Sequence, residues 1–159
     1  STYMYPMLEA ARRAVCEAGD HIRAHGLNLP ADLLPFTCVV TGTGNVSKGA
    51  QSILDLLPTV RKDPFELEAL CAAGAGGDGA SDPHKTLYVA VASARHMVER
   101  KTNADEGEAK APFDKRHYYA NPGEYRSVFA EKVLPFASVL VHCMYWDRRF
   151  PRLVTTQEE

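Results

Sequence analysis

The sequence predicts an α/β fold, a parallel sheet flanked by helices, and three observations carry that expectation. Short runs of β-branched and aromatic residues alternate with segments of helical periodicity. The best of those runs, Phe36-Thr37-Cys38-Val39-Val40-Thr41, is almost wholly apolar, which suits a strand covered on both faces. Glycines and then a helical pattern follow it at once, and repeated strand-helix alternation implies right-handed crossovers within one sheet. The 159 residues fit one domain, with a leading helix and linker over 1–30 and a sheet-forming unit over 36–159.

The elements follow in order. Leu8, Ala11, Val15, Ala18 and Ile22 recur at helical spacing with Arg12, Arg13, Glu17 and Asp20 between them, predicting an amphipathic helix that ends near Gly26. Pro30 and Pro35 punctuate the loop before the first strand. Beyond the glycines, Ala50, Ile53, Leu54 and Leu57 mark a second helix, which Pro58 stops. Thr59-Val60-Arg61-Lys62 is the next strand, and Asp63 caps a helix through Leu70 with a proline in its first turn. Cys71 to Pro83 is rich in glycine and alanine without periodicity, so a mobile loop is expected. Thr86 to Ala92 restores a strand. Arg95 to Tyr119 is strongly charged and reads as an excursion rather than core, disordered in part, with His96 and His117 at the surface. Asn121-Pro122-Gly123-Glu124 supplies the cap, proline and acid that open a helix, with Tyr125, Val128, Phe129 and Val133 as its apolar face. Ala137 to Cys143 is the last strand, with His142 as a core histidine.

Composition removes several function classes. Eighteen basic against 20 acidic residues give a net charge of −2, which does not favour nucleic acid as a partner. No apolar stretch approaches the roughly 20 residues that span a bilayer, and no signal peptide opens the chain, so no membrane is expected and an intracellular place, cytoplasmic or mitochondrial, is. The four cysteines form no C-x-x-C pair and read as free thiols, and the six histidines show no ligand spacing, so no metal is expected. The opening Ser1-Thr2, without methionine, reads as a piece cut from a longer polypeptide.

Gly42-Thr43-Gly44-Asn45-Val46-Ser47 stands between strand and helix, where a G-x-G pair acquires a mechanism. The first glycine permits a tight turn, and the second removes a Cβ so that pyrophosphate can approach the backbone. The helix N-terminus then supplies N–H donors and positive dipole. Ser47 holds the third position, usually glycine or alanine, and Gly49 is available to relieve the crowding. A Walker A loop is excluded, because Ala50-Gln51 follow Gly49 in place of Lys-Ser/Thr. The expected fold is therefore Rossmann-like, a partial coenzyme-binding domain with Gly42, Thr43, Gly44, Asn45 and Val46 around a dinucleotide pyrophosphate. The plainer alternative is a strand-to-helix turn with no ligand. Asp63 lies about 20 residues beyond the turn, the spacing of an acid that binds a ribose 2′-hydroxyl, and could equally be only a helix cap. Arg61 and Lys62 beside it could accept a 2′-phosphate, which would favour NADP over NAD, or be surface charges. Tyr145 and Trp146, after the last strand, would border the nicotinamide or pack against the rim. No G-x-S-x-G elbow occurs, and no residue is assigned a catalytic role.

Val40 to Gln51 (VTGTGNVSKGAQ), Val98-Glu99-Arg100-Lys101-Thr102 and the run from Tyr118 to Thr155 resemble the lysine-ketoglutarate reductase part of bifunctional α-aminoadipic semialdehyde synthase. Asn121 to Arg126, Met144-Tyr145-Trp146 and Pro151 to Thr155 are the closest segments of that run. The family is similar to saccharopine dehydrogenases and, more distantly, to alanine dehydrogenase and the nucleotide-binding (C-terminal) domain of transhydrogenase. The likeness covers about two thirds of the chain and lapses over 71–85 and 103–111. It implies NADPH-dependent condensation of lysine with 2-oxoglutarate to saccharopine, in lysine degradation. It also implies a substrate domain before this unit that carries the catalytic acid and base, and a fused saccharopine dehydrogenase domain. The alternative from another class is a non-catalytic Rossmann-like module in regulation or assembly.

Overall fold

A strand with no polar face must be covered on both sides, and Thr37–Thr41 (β1) is buried at every position. In the computed structural model, which describes residues 7–101, 112–145 and 147–154, β1 lies inside a parallel sheet. The strand order is β2 (Thr59–Lys62), β3 (Leu87–Ala92), β1 and β6 (Val139–His142). All three pairings are parallel. This is the α/β, Rossmann-like arrangement expected from the sequence.

The pleat of β1 divides the core in two. Cys38 and Val40, with Val89 of β3, face Ala50 and Leu54 of helix α2 (Asn45–Leu54). Val39, with Tyr88, Ala90 and Ala92, faces the opposite way, toward Leu67 and Leu70 of α3 (Leu67–Ala72). Met97 of α4 (Ala94–Met97) and Phe129 of α6 (Phe129–Lys132) complete that larger core. The leading helix α1 (Leu8–His25) has Gly19 as its one buried residue. A Cβ there would come within 2.6 Å of the Leu56 carbonyl, so the close approach depends on glycine. Leu8 and Ala18, expected in the buried stripe, are exposed because the contact is centred on Gly19.

The stretch from Arg95 to Tyr119 corrects the expectation of a surface excursion. Its charges lie on short elements whose intervening residues enter the core. Val98–Arg100 (β4) pairs antiparallel with Tyr125–Ser127 (β5), and Met97, Val98 and Tyr118 of α5 (Lys115–Ala120) are buried. Glu99 sits between Arg126 and Lys132, so the charge density feeds ion pairs across this small sheet. Positions 102–111, where disorder was expected, lie outside the described residues. The helix expected from Asn121 is a single 3-10 turn, Pro122–Glu124, followed by β5. Pairing of Arg100 with Tyr125 and burial of Tyr125 in an aromatic cluster with Tyr118 and Phe113 override the local helix signal. His96 is buried at 3% exposure rather than solvated, and His142 is exposed rather than core, because β6 is an edge strand among the described residues.

Candidate functional site

The direction of the crossovers locates the site. From β1 the chain runs outward to β2 by way of α2 on one face. From β3 it runs back past β1 to β6 through elements that pack on the other face. Neighbouring strands whose connections leave toward opposite faces open a crevice at their carboxyl ends, where open α/β sheets bind ligands. Here the two strands are β1 and β3, and the crevice edge is the glycine turn on one side and Ser93 to His96 on the other. The Gly42 N–H donates to the Ala92 carbonyl at 2.8 Å, which fixes the two edges together.

The turn is built as a close-approach surface. Gly42 has φ +87°, and a Cβ there would meet Met144 Cγ at 2.9 Å and the Cys143 carbonyl at 3.3 Å, so glycine is required on two counts. Gly44 is different: its backbone is extended, with φ −81° and ψ −172°, and a Cβ would find nothing within 4 Å. Among the described residues no contact demands glycine at 44. Gly44 is also the N-cap of α2 and offers no side-chain acceptor, so the first N–H groups of that helix have no side-chain partner. Thr43, Asn45 and Val46 are exposed, Val46 at 69%. Ser47 is fully buried, and its hydroxyl accepts from Gln51 Nε2 at 2.9 Å, which satisfies the polar atom at a position where glycine or alanine is usual.

Beside α2 an open groove of about 570 Å³ runs over the carboxyl halves of β2 and β3, lined by Gln51, Arg61, Asp63, Val91, Arg95 and His96 among others. Arg61 pairs with Asp55 and donates to Gln51 Oε1 at 3.2 Å. Lys62 pairs with Asp78 at 2.9 Å, both side chains being mostly covered. Asp63 is the N-cap of the 3-10 turn Pro64–Glu66: Oδ1 accepts from the Phe65 N–H, and Glu66 accepts from the Asp63 N–H. Its Oδ2 accepts from Arg95 Nη2 at 2.7 Å and lies 3.4 Å from His96 Nε2. Burial alone would raise the Asp63 pKa, but the Phe65 N–H, the facing His96 ring and the Arg95 charge outweigh it and hold the carboxyl below its ordinary value. Burial pushes the His96 pKa down, against the pull of Asp63, which favours the neutral ring. A neutral imidazole accepts at one nitrogen only. The Ser93 N–H at 3.0 Å from Nδ1 and the Arg95 Nε–H at 2.9 Å from Nε2 therefore compete, and one must give way.

The structure thus brings Gly42 to Val46 together as one surface and sets Arg61, Lys62 and Asp63 in the groove beside it. Tyr145 follows β6 and is 93% exposed, and Trp146 lies outside the described residues. Sequence reasoning missed Gln51, Arg95 and His96. The available signal was the end of the Leu87–Ala92 strand, since any residue just past a carboxyl end in such a sheet is a site candidate.

No family model matches the chain. Curated proteins do. An alpha-aminoadipic semialdehyde synthase of Arabidopsis thaliana is 41% identical over 161 aligned positions, 99% of this chain. The mitochondrial alpha-aminoadipic semialdehyde synthases of Mus musculus and Rattus norvegicus are each 36% identical over 148, 93% of it. The chain is homologous to one segment of the alpha-aminoadipic semialdehyde synthases. That segment is 14% of each relative's length, and the likeness found in short motifs extends across 93–99% of this chain. No helix of the described residues is long and apolar enough to cross a membrane, and no group of three His, Cys, Asp or Glu among them could hold a metal ion.

Proposed function

We propose that this chain is the nicotinamide-dinucleotide-binding segment of a lysine-ketoglutarate reductase, acting in lysine degradation inside the cell. The observation that carries the reading is Gly44: extended backbone that any residue could adopt, open space where a Cβ would stand, and an uncapped helix N-terminus behind it. A diphosphate fits that surface, with the backbone N–H groups of Thr43 to Val46 as donors and the dipole of α2 as a favourable field. The groove holding Arg61, Lys62 and Asp63 receives the adenosine half, and Tyr145, just after β6, borders the nicotinamide half. NADP is the expected dinucleotide, with NAD as its competitor. When bound, the dinucleotide supplies the hydride. The residues of this chain bind and orient it, and the proton donor and the amino-acid and oxo-acid sites belong to a substrate domain elsewhere in the polypeptide. Proximity and acid-base assistance both contribute large factors to such a rate, so dinucleotide binding by this segment alone gives no turnover. The competing reading is an assembly module without a ligand.

Amide hydrogen exchange of the intact polypeptide tests the proposal at the site itself. NADPH is expected to slow exchange in a peptide spanning 42–50, and Gly44→Val is expected to abolish that protection. Exchange in 42–50 unchanged at saturating NADPH and NADH would overturn it.

A further inference from the structure

Within that reading, on which this inference rests, the strand order moves the ribose site. In the dinucleotide fold the strand that follows the first helix lies directly beside the glycine-turn strand, and its end reads the ribose. Here β2 is one strand removed, because β3 is inserted between it and β1. A strand spacing of about 4.8 Å carries Asp63 that much further from the turn. The place beside the turn belongs to the end of β3, where Gly42 is bonded to Ala92 and Ser93, Ala94, Arg95 and His96 follow.

We infer that Arg95 binds the 2′-phosphate of the adenosine ribose and selects NADPH over NADH, with Asp63 as the positioning residue that holds the guanidinium over the groove. Asp63 is poorly placed to accept a ribose diol, since one oxygen already caps Phe65 and the other takes Arg95. Arg61 is divided between Asp55 and Gln51, and Lys62 is paired with Asp78 in a mostly covered contact. Arg95 is more exposed than either, at 57%; its Nε donates to His96 and its Nη2 to Asp63, and Nη1 makes no hydrogen bond among the described residues. A guanidinium held at Nη2 by Asp63 and open at Nη1 presents N–H donors to the groove that suit a phosphate.

The test titrates NADPH, NADH and 2′,5′-ADP against the intact polypeptide, with exchange protection in 42–50 and 93–98 as the readout. Arg95→Ala is expected to weaken NADPH and 2′,5′-ADP by roughly tenfold to a hundredfold and to leave NADH within about twofold. Arg95→Lys should recover part of the loss, and Asp63→Asn should loosen the preference while leaving NADH bound. Equal weakening of NADPH and NADH by Arg95→Ala, no change in either, or a selective loss in Arg61→Ala instead would overturn the assignment. So would a wild type that binds the two dinucleotides alike. Dinucleotide protection that survives these results but vanishes in Gly44→Val leaves the glycine-turn reading standing and removes Arg95 alone; no protection under any condition removes both.

Discussion

Two connections leave the carboxyl ends of neighbouring strands, and they are built in opposite ways. The turn after β1 is short and largely exposed, with open space at Gly44 and no side chain at the N-cap of α2. The long connection after β3 is dense in charge by sequence, yet it buries Met97, Val98, Tyr118, Tyr125, Phe129 and Val133 and pairs its ions with one another. The difference teaches where function lies. The filled connection carries the core, whereas the exposed turn leaves a helix N-terminus open to solvent, where an anion can approach.

The sharpest way to break the comparison is to attack the filled side. Phe129 is fully buried in the larger core, and Phe129→Ala should destabilise by about 3–5 kcal/mol, measured as a shift in urea midpoint. A loss below about 1 kcal/mol would mean that the 94–136 connection is loosely attached and not part of the core.

Gly42 tests the border between the two regions. Gly42→Ala forces an L-residue into φ +87° and pushes a Cβ against Met144 and the Cys143 carbonyl, for a cost of about 1–3 kcal/mol. The same variant should lose NADPH protection in 42–50, because the turn must move. Unchanged melting would show that the turn relaxes at no cost.

How much of this was legible beforehand follows from range of interaction. β1, the glycine turn and α2 were readable because their signals are local: an apolar run, two glycines, then helical spacing. β5 was misread as helix because Asn121, Pro122 and Glu124 give a genuine helix-start pattern, while the pairing of Arg100 with Tyr125 that decides the matter spans a long sequence separation. The strand order was illegible for the same reason. Asp63 satisfied the spacing rule for a ribose acid, but the rule assumes that β2 lies beside β1, and only the pairing of β1 with β3 shows otherwise. His96 looked exposed because its neighbours Arg95 and Glu99 are charged; the imidazole turns out to close the Ser93 cap.

The pH dependence sharpens the comparison from the groove side. Asp78 is drawn from an ordinary 3.8 to about 2, first by the hydrogen bond from Lys62 and then, against burial, by the Ser81 and Ala80 N–H groups. A carboxyl with a depressed folded pKa contributes stability that is complete above its unfolded pKa and is lost as pH falls toward the folded value. The contribution should therefore fade between about pH 4 and pH 2. Asp78→Asn should remove that part of the acid dependence of the melting temperature and leave dinucleotide protection at 42–50 intact. Matching acid profiles for the variant and the wild type would show that the Lys62 pair contributes nothing to folding.

The smallest expected effect on the fold is at Gly44, and it decides most. Valine is at ease in the extended conformation that Gly44 adopts, and its Cβ enters open space rather than a neighbour. The side chain is solvated, the cap position loses no acceptor because glycine had none, and Gly44→Val should change stability by no more than about 0.5 kcal/mol. Only a ligand lying against the backbone would meet the new methyl groups. A structural turn would therefore tolerate the substitution in every measurement, whereas a phosphate cradle tolerates it in melting and fails in binding. The outcome that supports the functional reading is an unshifted urea midpoint together with complete loss of NADPH protection over 42–50. A variant that melts with the wild type and still protects 42–50 would show that the emptiness at Gly44 is incidental, and the contrast between the two connections would then be one of packing alone.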